Sequence, residues 1–209
     1  DDLVTGVQTC ALPISVEDHA LRGDVDAVVD DDGAAISWVQ TYLHHWFGTP
    51  GDGRTSDRHD TVASIVPDNR RRPYDMARVV EAVADADSLL ELRSQRAKGM
   101  LTYLGRLGGI PVGFFANQPR SPRAGAIDAA AADKAARFVE LCDAYELPLV
   151  SFVDNPGYMV GPDAEREGIA RHHARPLSAL HHRTVPLYTV QIRDRKSTRL
   201  NSSHQIISY

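Results

Sequence analysis

The chain has 209 residues, 43% of them hydrophobic and 24% charged, with a net charge of -5 and a pI of about 6.0. These are ordinary values for a globular domain with a packed core. The mildly acidic balance argues against a nucleic-acid groove or an anionic membrane surface as partner.

No apolar run approaches the length of a membrane span, and no stretch has the charged start, apolar centre and cleavage site of a signal peptide. The two cysteines, Cys10 and Cys142, lie far apart and without metal-ligand spacing. Cys142 falls in an apolar helical pattern and reads as a small core residue. The expectation is a soluble, cytoplasmic protein.

Residues 1–15 and 195–209 have no clean period and read as adaptor-like, non-native tails, the rival reading being natural flexible ends. Residues 30–47 carry Ile36, Val39, Leu43, Trp46 and Phe47 at helical spacing, with Asp30, Asp31 and Asp32 placed to cap the start. Residues 48–60, rich in Gly, Pro, Ser and Asp, read as a linker, and a domain boundary is expected there. The run Arg70-Arg71-Arg72 is a solvated basic face or a grip for phosphate or carboxylate. Asp75 is placed to cap a helix in which Met76, Val79, Val80 and Val83 share a face.

The period then changes. Residues 89–92, 100–107 and 111–116 read as strands, the last two joined by a turn at Gly108-Gly109. A helix is predicted over about 128–145, with Ala135, Phe138, Val139, Cys142 and Tyr145 on its buried face. Residues 149–153 form a continuous apolar run that suits a strand covered on both faces. A helix over about 164–182 and a strand over 185–192 complete an α/β layered domain.

Chemistry is expected at the carboxyl ends of the strands, where open α/β sheets bind ligands. The loop Asp154-Asn155-Pro156-Gly157-Tyr158-Met159-Val160-Gly161 follows a buried strand. Gly157 and Gly161 permit positive φ, Pro156 has no N–H, and the remaining amides are those an oxyanion would use. Taken alone, such a turn is as readily structural. Beside it, Ala116-Asn117-Gln118-Pro119 ends one strand and Gly125-Ala126-Ile127-Asp128 enters the long helix, in the manner of a turn with an N-cap.

Several pieces occur together in order: Ile65-Val66-Pro67, Arg72-Pro73-Tyr74-Asp75-Met76, Leu90-Glu91-Leu92, Gly108-Gly109-Ile110-Pro111-Val112-Gly113, the two loop strings just quoted, Ala132-Asp133-Lys134-Ala135-Ala136-Arg137-Phe138, Leu141-Cys142-Asp143-Ala144 and Val153-Asp154-Asn155-Pro156-Gly157. From about residue 60 to 193 the chain resembles the carboxyl-terminal carboxyltransferase domain of the β subunits of biotin-dependent acyl-CoA carboxylases. Residues 16–53 resemble the end of the preceding amino-terminal domain, and 54–194 an incomplete carboxyl-terminal one.

The resemblance implies a crotonase-like spiral of β-β-α units. It implies transfer of a carboxyl group from carboxybiotin, borne on a carrier protein, to the α-carbon of an acetyl- or propionyl-type acyl-CoA. Backbone oxyanion holes would stabilise the charge. By the same resemblance the amides of Gly157 and Tyr158 are catalytic, and Asn117, Gln118, Pro156 and Gly161 line the biotin side. The implied partners are a biotin carboxylase, a biotin carrier and further copies of the chain, with no metal. Two departures stand out. The family continues past the position of Arg193 into a Gly-Gly-Ala loop, where this chain has Asp194-Arg195-Lys196-Ser197, so the chain reads as truncated and inactive alone. After Arg171-His172 the family has Gly-Ala, where this chain has His173-Ala174.

Other chemistries are disfavoured. The pairs His172-His173 and His181-His182 lack the spacing of a zinc-binding helix. There is no Gly-x-Ser-x-Gly elbow and no Walker loop. Two rivals stay open: a malonyl- or methylmalonyl-CoA-type decarboxylase of the same fold, and a non-catalytic assembly fragment.

Overall fold

The computed structural model describes residues 15–48, 62–69 and 71–193. Both tails except Ser15, nearly all of the linker, Cys10 and Arg70 lie outside the described residues. Helix α1 spans Val16–Arg22 and α2 Asp32–Phe47. Helix α3 spans Val62–Ile65 and α4 Met76–Val83. Strands β1 (Leu90–Glu91), β2 (Met100–Leu107) and β3 (Ile110–Asn117) follow. Then come α5 (Ala129–Ala144), β4 (Leu149–Val153), α6 (Pro162–Arg166), α7 (Ile169–His182) and β5 (Leu187–Gln191).

The strands form one sheet in the order β1-β2-β3-β4-β5. Strand β2 runs antiparallel to its neighbours β1 and β3, and β3, β4 and β5 run parallel. The change of sense follows from the connections: a two-residue turn can only join antiparallel strands, and a parallel step needs a crossover helix. At Gly108 and Gly109 φ is +61° and +81°, the left-handed conformation of a tight hairpin turn. The carboxylate of Asp85 accepts both of their amides, at 2.8 and 2.6 Å. Hydrogen bonds to a charged acceptor contribute about 1.5–3 kcal/mol each, so Asp85 fixes the turn and the register behind it.

One face of the sheet packs on α4 through Met76, Val79, Val80, Phe114 and Phe152. The other packs on α5 through Leu104, Phe138, Val139, Cys142 and Leu149. Gly113 allows that approach: a Cβ there would lie 2.5 Å from Cys142 Sγ. Helix α7 is tied to α5 by Asp133, which accepts from Arg175 at 3.0 Å and pairs with His172 at 2.9 Å. The predicted caps are seen: the side chains of Asp31, Asp75 and Asp128 accept from Ala34, Ala77 and Ala131.

Two expectations are corrected. The helix predicted over 164–182 is two helices, because Gly168 takes a left-handed φ of +72° and ends the ladder between α6 and α7. In α2 the aliphatic stripe does not face the core. Ile36, Val39, Leu43 and Phe47 are exposed, Phe47 to 75%. The neighbouring face docks instead: Trp46, one member of the predicted stripe, packs with Trp38 and Tyr42 against the α5 side. Trp38 stacks on Tyr42 with ring centroids 5.2 Å apart, and Trp46 meets Tyr145 at 4.4 Å. Three aromatic rings bury more apolar area than the aliphatic stripe.

Candidate functional site

The carboxyl ends of β3 and β4 carry the two loops singled out above, residues 118–128 and 154–161. They are stitched together by backbone. Ile127 donates to Gly157 O at 3.1 Å, and Met159 donates to Ile127 O at 2.9 Å, a parallel bridge centred on Tyr158. In such pairing the bonds come from the flanking residues, so the N–H and C=O of Tyr158 itself face away from Ile127.

Asn117 is buried at the end of β3. Its side-chain amide donates to Gly125 O at 3.3 Å, and its Oδ1 accepts from Asn155 Nδ2 at 3.0 Å. Asn155 Oδ1 in turn accepts the Gly157 N–H at 3.0 Å. The amide of Gly157, expected to serve an oxyanion, is therefore engaged within its own loop, while that of Tyr158 faces away from Ile127.

Gln118 has a structural task. Its Nε2 donates to Asp75 Oδ1 at 2.7 Å, and its Oε1 accepts from Met76 N at 3.1 Å. It thereby ties the loop to the amino terminus of α4, and its side chain is committed there rather than to a ligand.

Pro156 is exposed at the loop tip, and Gly157 and Gly161 have φ of +117° and +118°. A Cβ at either glycine would meet nothing within 4 Å. The space beside the loop is thus open, and it is conformation rather than crowding that calls for glycine. Gly125 differs: with φ +82°, a Cβ there would lie 3.0 Å from the Asp154 carbonyl oxygen. It sets the close approach of the two loops.

The ring of Tyr158 lies against His173 of α7, with centroids 3.8 Å apart. Burial pushes the Tyr158 phenol up and the His173 imidazole down; Glu165 opposes the latter change and His172 adds to it. At neutral pH the contact is therefore between two uncharged rings.

Beneath the loop lies a cluster that the sequence did not single out. Asp154 is 1% exposed, and its Oδ2 accepts from Arg193 Nε at 2.7 Å and from the Tyr74 hydroxyl at 2.9 Å. The Arg193 guanidinium stacks over the Tyr74 ring at 4.8 Å, and its Nη1 donates to Arg72 O at 3.2 Å. Three distant segments meet here. The available signal was a charged residue directly after an apolar buried strand, which requires a partner of opposite charge.

Among the described residues, no group of three or more His, Cys, Asp or Glu side chains could hold a metal ion. No helix among them is long and apolar enough to cross a membrane.

Residues 14–198 match the carboxyl transferase domain family. The chain is 45% identical over 131 residues to the propionyl-CoA carboxylase carboxyltransferase subunit of Haloferax mediterranei, covering 63% of this chain and 25% of that one. It is 41% identical over 140 residues to the methylmalonyl-CoA decarboxylase subunit alpha of Veillonella parvula, covering 67% and 27%. It thus spans about a quarter of the length of these curated relatives. A solved single-chain, multi-domain long-chain acyl-CoA carboxylase superposes with a TM-score of 0.82 at 37% identity, over 87% of this chain and 18% of that one. The mixed sheet with helices on both faces is the crotonase-like fold that the sequence led us to expect.

Proposed function

Since the chain belongs to the carboxyl transferase domain family by its match over residues 14–198, we propose that it forms the biotin-side wall of an acyl-CoA carboxyltransferase. The observation that carries this is the N–H of Tyr158, turned away from the bridge to Ile127 on a loop with open space at Gly157 and Gly161. When bound, carboxybiotin on a carrier protein would supply the carboxyl group to the α-carbon of an acetyl- or propionyl-type acyl-CoA.

The residues fit such a group. The ureido ring, whose oxygen would gain negative charge as the carboxyl group leaves, needs hydrogen-bond donors and an apolar edge, and this loop offers a backbone N–H, the exposed Pro156 ring and a half-exposed tyrosine. Tyr158 is the amide we assign to oxyanion stabilisation, where a preorganised donor is worth about 3–4 kcal/mol of barrier. Gly157 acts one step back: its engaged N–H holds the loop in the conformation that aims its neighbour. Asn117 and Asn155 carry that order to the second loop. Pro156 and Gly161 line the approach, and Gln118 supports it from behind.

By the same proposal, residues 16–53 close the preceding amino-terminal domain, and the acyl-CoA pocket lies in sequence outside this chain. Biotin carboxylase and biotin carrier components are the partners, in the cytoplasm. Self-association would cover the exposed aliphatic stripe of α2.

The test is binding of biocytin, followed by amide shifts in NMR spectra of the labelled protein. We expect millimolar affinity with contacts to residues 156–161, and none for coenzyme A alone. Absence of biocytin binding at solubility-limited concentration would remove the reading. The likeness to the Veillonella decarboxylase subunit supports a second reading. If the chain, completed by the amino-terminal domain of a relative, releases CO2 from methylmalonyl-CoA without biotin, decarboxylation replaces carboxyl transfer.

A further inference from the structure

We propose that Asp154, clamped by Arg193 and Tyr74, is a positioning residue that sets where the Tyr158 amide points. The inference rests on the functional reading just given, and it concerns residues that touch no substrate.

The geometry forms a continuous series of contacts. The Asp154 carboxylate is fixed from two sides, by Arg193 Nε at 2.7 Å and by the Tyr74 hydroxyl at 2.9 Å. Its side chain has no exposed surface, and that of Arg193 is 6% exposed. A charge pair so thoroughly removed from water holds its geometry tightly, because any separation leaves both ions without solvation. Arg193 is itself fixed by Arg72 O at 3.2 Å and by stacking on the Tyr74 ring. Asp154 therefore cannot rotate or slide.

Its main chain transmits the constraint. The Asp154 carbonyl lies against Gly125, where even a methyl group would come within 3.0 Å, so the second loop is seated on it. The next residue, Asn155, bridges Asn117 on β3 and the amide of Gly157. Further along, the bridge to Ile127 turns the Tyr158 N–H away from the second loop. Moving the Asp154 carboxylate moves each of these in turn. The arrangement couples the carboxyl end of β5 to a loop that follows β4.

Two near-isosteric variants test this. Tyr74→Phe keeps the ring beneath Arg193 and removes the hydroxyl; Asp154→Asn keeps the shape and removes the charge. Amide hydrogen exchange is read across the whole chain, and biocytin binding is read by NMR. A positioning role predicts exchange about tenfold faster or more at the hydrogen-bonded amides of Gly157 and Met159, with β2 and β3 unchanged, and weaker biocytin binding. A merely structural role predicts uniform acceleration in every strand, and that result overturns the proposal. So does an unchanged loop, or a loosened loop with undiminished biocytin affinity. If the wild-type chain fails to bind biocytin, the functional reading fails, while the exchange pattern still decides whether Asp154 anchors the loop.

Discussion

His45 gives the fold a dependence on acid that can be worked out from its surroundings. It sits on α2, 3% exposed, where burial lowers its pKa from 6.5 to about 4, with the Arg106 guanidinium and His44 acting in the same direction. In the unfolded chain the imidazole takes up a proton as pH falls below 6.5, whereas in the folded chain it does so only near 4. Over that window the unfolded state binds more protons, so stability rises with pH. The contribution is complete above 6.5 and is lost as pH falls through 4. A tenfold loss of proton affinity on folding corresponds to about 1.4 kcal/mol, and the fall from 6.5 to about 4 sets a ceiling of about 3 kcal/mol. Relaxation and water entry reduce that to about 2 kcal/mol. Urea unfolding at several pH values between 7.5 and 4 measures it, with His45→Phe as control. The variant should lose about 2 kcal/mol of the pH dependence while the carboxylate background stays. The same pH dependence in both proteins would refute a buried neutral imidazole.

Other expectations follow from single contacts. Gly113→Ala should cost about 1–3 kcal/mol by forcing α5 off β3, and Cys142→Ala should restore part of it, as chemical denaturation of the double variant would report. Gly157→Val should leave the core intact, because the space is open, but impose about 1–3 kcal/mol of backbone strain on the loop. Biocytin affinity should fall, and the melting temperature should drop by about 2–4 °C for each kcal/mol of that strain. Lys134, buried on α5, donates to Met100 O at 2.7 Å and Arg96 O at 3.0 Å. Burial lowers its pKa from 10.5 to about 8, against the pull of Glu91. Since the folded pKa is the lower one, stability should rise by about 1–3 kcal/mol from pH 8 to 10.5. Lys134→Met should abolish that rise in the same unfolding assay.

Local chemistry made much of the fold legible. Asp75 and Asp128 precede apolar helical periods and cap the helices they begin. The glycine pair at 108–109 fixes a hairpin because few other sequences accept its dihedral angles. Legibility failed where tertiary competition decided. The α2 stripe of Ile36, Val39, Leu43, Trp46 and Phe47 has a clear helical period, yet only Trp46 of it reached the core side, beside Trp38 and Tyr42. Gly168 could be tolerated in a helix or end one, and only the structure shows that it ends one.

At the site, the loop and its glycines were readable, but the use of each atom was not. Gln118 and the Gly157 amide spend their hydrogen bonds on Asp75, Met76 and Asn155, partners set by side-chain geometry. The anchor beneath them joins Asp154 to residues 80 positions before and 39 positions after it, separations at which sequence periodicity is silent.

That last separation has a consequence in time. The hairpin of β2 and β3 closes over a two-residue turn and can form as soon as both strands exist. Strand β4 can then dock beside β3, but Asp154 stays without its arginine until 39 further residues have been made. During synthesis at about 5–20 residues per second, the loop meant for a ligand waits seconds for its clamp. The loop therefore becomes rigid later than the hairpin, and a chain halted before Arg193 would carry the binding loop but not the means to hold it still.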